Sequence, residues 1–144
     1  MYKHILIPTD GSTLSDMAIR HGMALAKIVG AKVTALTVSL PLQSFALDPV
    51  MVSDNPVRYQ QECEARAEKA LGLAGTEAGV GVSCETLHLT HAQPYQAIIE
   101  TAQKRACDLI CMASHGRKGM SAFVLGSETH KVLSQCTIPV LVCR

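Results

Sequence analysis

Three short stretches of this 144-residue chain combine residue types that bind sugar hydroxyls and phosphate. The first, Pro8-Thr9-Asp10-Gly11-Ser12, follows the apolar run His4 to Ile7. A carboxylate directly after a buried run needs a reason. Asp10 either caps an Asx-type turn or accepts hydrogen bonds from ribose hydroxyls, while Gly11 lets the backbone turn tightly. The second stretch is Ala113-Ser114-His115-Gly116-Arg117-Lys118-Gly119, and the third is Gly126-Ser127-Glu128-Thr129. Phosphates need donors without steric bulk. Gly116 and Gly126 allow backbone N–H groups to approach, and Ser127 adds a hydroxyl. A helix beginning near Ser127 would present unpaired amides and its positive dipole end to the same anion. Arg117 and Lys118 offer charge, although basic residues in a loop are more often only solvated.

Other chemistry is less well supplied. His115 offers a general base or a phosphate contact, but a neutral imidazole capping the turn serves equally well and is the preferred reading. His88 and His91 lack a neighbouring Cys, Asp or Glu to complete a metal site. Ser12, Ser114 and Ser127 have no Gly-x-Ser-x-Gly elbow around them, which argues against a serine hydrolase. No Gly-x4-Gly-Lys-Ser/Thr loop is present, so any ATP hydrolysis should be slow. The six cysteines, at 63, 84, 107, 111, 136 and 143, lie mostly in apolar runs without CxxC spacing and suit buried, reduced thiols. Cys107 and Cys111, if on one strand, would stand about 13 Å apart, too far to share a metal.

The elements that must position these residues follow from periodicity. Buried strands are predicted over His4–Pro8, Ala31–Leu40, Val82–Leu89, Asp108–Ala113 and Ile138–Cys143. Leu14, Ala18, Gly22, Leu25 and Val29 recur at helical spacing, with Thr13 as the expected N-cap, Asp16 in the capping-box position and Gly30 just past the end. A second helix carries the stripe Cys63, Ala67, Ala70, Ala74 and Ala78, from soon after Pro56 to near Gly79 and Gly81. Pro94 opens a third, with Ile98, Ala102 and Ala106 inward, and Ser127 to Gln135 forms a fourth. Pro41 to Asn55 is the longest loop, and it is too apolar for a tether; it is a lid, an interface or simple packing. The order β-α-β-α-β-α-β-α-β requires crossovers, hence an α/β fold with a doubly wound parallel sheet and helices on both faces. In such a sheet ligands bind beyond the carboxyl ends of the strands where strand order reverses, which is where the three stretches fall.

Composition narrows the classes. With 48% hydrophobic residues and 17% charged, the chain is long enough for one core and too short for two, so one domain over 1–144 is expected. A net charge of +1 with no basic stretch speaks against a nucleic-acid partner, and the scarcity of aromatics removes the stacking platforms of RNA-binding modules. The N-terminal apolar run is too short for a signal sequence or a membrane span, so a cytoplasmic protein is expected.

Taken together, KHILIPTDGS, DLICMASHGRKGMSAFVLGSETHKVL and TIPVLVCR resemble the universal stress protein family over essentially the whole chain. The family's nucleotide-binding members carry a glycine, two residues, a second glycine, nine residues and then Gly-Ser or Gly-Thr. Here the second glycine is Gly116 and the closing pair is Gly126-Ser127, while the first position holds Ala113. The resemblance implies an adenine nucleotide, ATP or AMP/ADP, with Mg2+ as a possible companion. Asp10, beside Thr9, would lie near the ribose, and Val38 and Pro8 near adenine. Gly116, Gly126, Ser127 and the Glu128 backbone N–H would lie near the phosphates, with Ala113, His115, Arg117 and Gly119 in the same binding loop. It also implies strand order 3-2-1-4-5 and a homodimer through the C-terminal edge strand, 138–143. The expected function is a nucleotide-binding regulatory protein of the stress response. The alternatives are a dimeric interaction module that has lost nucleotide binding, motivated by the Ala113 methyl, and a weak ATPase in which Asp10 or His115 positions water.

Overall fold

A computed structural model describes residues 1–45, 55–79, 81–116 and 124–144. The strands are β1 (His4–Pro8), β2 (Lys32–Ser39), β3 (Cys84–Thr90), β4 (Leu109–Ala113) and β5 (Val140–Cys143). The helices are α1 (Thr13–Val29), α2 (Pro56–Ala78), α3 (Pro94–Lys104) and α4 (Ser127–Gln135), with a 3-10 turn at Leu42–Phe45. All strand pairs are parallel and the five-stranded sheet has the order β3-β2-β1-β4-β5, as the sequence and the resemblance led us to expect.

Alternation along the strands divides the apolar side chains between two layers. Ile5, Ile7, Val33, Ala35, Leu109, Cys111 and Ala113 pack with Ala18, Ile19 and Met23 of α1 and with Leu71 and Ala74 of α2. On the other side Leu6, Leu36, Ile110 and Met112 meet Ile98 and Ala102 of α3 and Val132 of α4. The central β1 is sealed on both sides, with Ile5, Leu6 and Ile7 all 0% exposed. Each such side chain contributes about 1.5–3 kcal/mol by leaving water. Gly22 allows α1 to sit close to the sheet: a Cβ there would fall 2.4 Å from Ile7 Cδ1 and 3.4 Å from Cys111 Sγ.

Local signals set most boundaries. Gly30, at φ 70°, ends α1 in the left-handed conformation, and Asn55 caps α2 by accepting from Val57 N and Arg58 N. The N-cap of α1 is Ser12, in place of the expected Thr13. Ser12 is extended and its Oγ accepts from Ser15 N at 3.2 Å, whereas Thr13 is already helical. Asp16 consequently lies outside the capping-box position, but it still meets the positive end of α1 in the first turn. β5 is shorter than expected, starting at Val140, because Pro139 has no N–H to donate to the ladder. β3 is shifted toward its carboxyl end, beginning at Cys84.

At the amino ends of the strands His4 is buried, its Nδ1 2.9 Å from the Arg105 carbonyl and its Nε2 2.8 Å from Thr34 Oγ1. The Asp108 carboxylate accepts from the backbone N–H groups of Lys3 and His4. The six cysteines are unbridged. Cys107 precedes β4 and packs in the α3–α4 layer, while Cys111 packs in the opposite one. Among the described residues no helix is long and apolar enough to cross a membrane. Of the expected loop, Phe45 packs edge-on against Tyr59, whose hydroxyl donates to the Leu40 carbonyl at 2.5 Å. Residues 46–54 lie outside the described residues.

Candidate functional site

Strand order reverses between β1 and β4, and the segments leaving their carboxyl ends meet there. After β1, Asp10 Oδ1 accepts from Ser12 N at 2.9 Å, forming the Asx turn. Gly11, at φ 77°, needs its missing side chain to make that turn. Thr9 is 6% exposed; its hydroxyl accepts from Gly11 N and lies 3.0 Å from Ser15 Oγ, so its side chain braces the turn against α1.

After β4 the chain is held from two directions. Ser114 N donates to the Cys143 carbonyl at 2.8 Å, and the Ser114 carbonyl accepts from Gly126 N at 2.7 Å. Thr129 Oγ1 donates to the Ala113 carbonyl at 2.9 Å, fixing α4 to the end of β4. The two glycines singled out from spacing both sit where a side chain does not fit. A Cβ on Gly126 would lie 2.9 Å from the Ser114 carbonyl oxygen, and one on Gly116 2.7 Å from Asp10 Oδ2. Asp10, Gly116 and Gly126 therefore share one small region, while Arg117, Lys118 and Gly119 lie outside the described residues.

Ala113, at the motif's first position, turns its methyl into the apolar layer with Ile7 and Cys111. His115 Nδ1 lies 3.0 Å from Ser114 Oγ, and its buried Nε2 has no hydrogen-bond partner among the described residues. Where the Ser114 hydroxyl donates to Nδ1, the proton sits on Nε2, which is then an unsatisfied donor. The α4 N-terminus has Gly126 as its N-cap and no side-chain cap. Ser127 opens the helix, exposed to solvent.

Val38 is half-buried and pairs with Leu89. It stands two positions beyond Leu36, the partner of half-buried Pro8, so it overhangs the end of β1 by about 7 Å. Near the same turn, Gly11, Asp16, Arg66, Lys69, Ala70 and Leu73 line a recess of about 410 Å³.

Two arrangements escaped the sequence reading. The Glu128 carboxylate does not face the cleft: Oε2 accepts from Tyr95 N at 2.8 Å, capping α3, and Oε1 lies 3.2 Å from Lys131 Nζ. Ser39 Oγ lies 2.7 Å from His88 Nε2 on the next strand. Nothing local in the sequence pairs residues so far apart. Among the described residues no group of three or more His, Cys, Asp or Glu side chains is placed to hold a metal ion.

A parallel, doubly wound sheet with small-residue turns converging at its switch point defines an α/β protein with a ligand-type cleft. Residues 1–144 match the model of the universal stress protein family, and the chain belongs to that family. It is 33% identical over 146 residues to universal stress protein MJ0531 of Methanocaldococcus jannaschii, covering all of this chain and 83% of that one. It is 30% identical over 149 residues to universal stress protein YxiE of Bacillus subtilis, with both chains fully covered. Among solved structures, MJ0577 of M. jannaschii superimposes with a TM-score of 0.80 at 27% identity, over 99% of this chain and 96% of that one. Two more distant structures share the fold. A universal stress protein in complex with cAMP has a TM-score of 0.69 at 22% identity, over 98% and 95% of the two chains. A universal stress protein from Archaeoglobus fulgidus in complex with dAMP has a TM-score of 0.66 at 18% identity, over 99% and 98%.

Proposed function

We propose that this protein binds an adenine nucleotide between the ends of β1 and β4 and acts as a cytoplasmic, homodimeric regulator in the stress response. One observation carries the reading: the buried His115 Nε2, without a hydrogen-bond partner among the described residues, stands in the loop that leads to the α4 N-terminus, which has no side-chain cap. An unsatisfied buried donor costs about 1–3 kcal/mol, and a phosphate oxygen would satisfy it together with the first amides of the helix. The small-residue cradle of Gly116 and Gly126 fits the same group, since a Cβ on Gly116 would crowd Asp10 Oδ2 and one on Gly126 the Ser114 carbonyl. The two distant relatives complexed with cAMP and dAMP lend support in the class of ligand.

In this reading the phosphates take the N–H groups of Gly116, Ser127 and Glu128 and lie against Gly126, whose own N–H is held by the Ser114 carbonyl, with Arg117 and Gly119 in the same loop. Asp10 receives the ribose, and Pro8 and the overhanging Val38 flank adenine. Mg2+ would be carried mainly by phosphate oxygens and water. The Ala113 methyl packs into the apolar layer with Ile7 and Cys111, which favours binding over a non-binding interaction module.

Thermal unfolding of nucleotide-stripped protein tests the reading. A ligand at about 100 times its Kd stabilises by roughly 2.7 kcal/mol, a rise of roughly 5–15 °C for a domain of this size. We expect that rise with millimolar ATP and magnesium, no rise with GTP, and none with Gly126→Asp, which puts a carboxylate beside the phosphates. Ala113→Gly should bind as the wild type does. Absence of any rise with ATP, ADP or AMP overturns the proposal.

A further inference from the structure

We propose that Cys111 and Cys143 form a two-thiolate site for a soft, two-coordinate d10 cation, monovalent copper in particular. Their sulfurs lie 3.8 Å apart, bridging β4 and β5, in the layer beneath α1. Both residues are buried, at 0% and 5% exposure.

The strand register decides what such a pair can do. Cys111 is level with Leu141 and Cys143 with Ala113, so the two cysteines are offset by two positions on neighbouring strands. A spacing of about 4.8 Å between strands and about 3.3 Å per residue puts their Cα atoms about 8 Å apart. A disulfide requires less than about 7 Å, so the sheet itself opposes direct bridging. A metal ion bridges the longer gap. Two metal–thiolate bonds of about 2.3 Å close on sulfurs 3.8 Å apart at an angle near 110°, and a small separation of the sulfurs opens that angle further.

The surroundings select the ion. The only other polar atom in contact among the described residues is the Ala18 carbonyl, which accepts from Cys111 S–H at 3.5 Å. Around it are Ile7 and Gly22, where Ile7 Cδ1 already fills the space a Gly22 side chain would take, so an ion sits between the two sulfurs and not beside them. Zinc asks for four ligands and finds two, whereas thiolates alone suit Cu(I). A metal that binds the pair displaces the thiol protons. Binding forms two S–Cu bonds and releases two protons to solvent, with no change in oxidation state. Access comes from local opening of β5, a four-residue strand at the edge of this chain's own sheet.

Anaerobic titration with Cu(I) against a competing chromogenic chelator, read by native mass spectrometry, tests the site. One ion per chain is expected for the wild type and for the variant carrying Cys63→Ala, Cys84→Ala, Cys107→Ala and Cys136→Ala. None is expected for Cys111→Ala or Cys143→Ala. X-ray absorption of the loaded wild-type protein should show two sulfur neighbours and no nitrogen, a readout that needs no variant to fold. Equal loading of the Cys111→Ala/Cys143→Ala protein overturns the proposal, as does a three- or four-coordinate metal. So does a Cys111–Cys143 disulfide formed with diamide in the folded protein.

Discussion

Two imidazoles at opposite ends of the sheet are held in opposite ways. His115 has one ring nitrogen bonded and one buried without a partner, while His4 has both engaged. Burial lowers the His4 pKa below its ordinary 6.5, against the opposing effect of the bond to the Arg105 carbonyl. The unfolded chain therefore binds this proton more readily than the folded one. Stability is full above about pH 6.5 and falls as pH drops below it. Lys32, Arg105 and Asp108 surround the ring, and Asp108 acts at lower pH. Despite its desolvation, the N–H groups of His4 and Lys3 hold the Asp108 carboxyl below 3.8, so its contribution is lost only as pH falls through that lower range. Melting temperatures measured between pH 8 and 5 should decline more steeply for the wild type than for His4→Gln. An identical slope in the two proteins would show that His4 does not titrate on unfolding.

Each helix obtains its N-terminal partners differently, and that difference marks how far sequence alone reaches. Ser12 and Asn55 cap α1 and α2 from the adjacent residue, so both lie within reach of a local reading. Between Ser12 and Thr13 only backbone conformation decides, because both side chains have the same capping chemistry. Ser12→Ala should cost about 1 kcal/mol in urea unfolding, and it should weaken nucleotide binding by loosening the Asp10 turn. The cap of α3 comes from Glu128, 33 positions away, and no local pattern foretells it. The same holds for Ser39 with His88 and for Cys111 with Cys143: register and topology make these pairs, not spacing. The strands, the four helices and the clustering of Asp10, Gly116 and Gly126 were legible because period, glycine placement and the family motif all agree. The Ala113 methyl shares the face of Leu109 and Cys111 by strand alternation, and what stayed hidden was that α1 and α2 cover that face.

For the molecule as a whole, β5 leaves one edge of the sheet with Leu141 40% exposed, and α4 beside it carries Leu133 at 43%. An apolar edge of this kind is a template for another strand. Light scattering of the full chain should give the mass of a dimer, and Leu141→Lys with Leu133→Glu should give a monomer that still binds nucleotide. A wild-type monomer at micromolar concentration would remove the edge-pairing expectation. Seating α1 on the sheet also bears on the distant cleft. Where Gly22 has no side chain, Ile7 and Cys111 fill the slot, so the helix is keyed against rolling about its own axis. Ten residues of helix, about 15 Å, separate that keyway from Ser12 and the Asp10 turn. The aim of the Asp10 carboxylate is thus machined at a point that no ligand touches, and a single methyl at position 22 would throw it out of true before it unfolded anything.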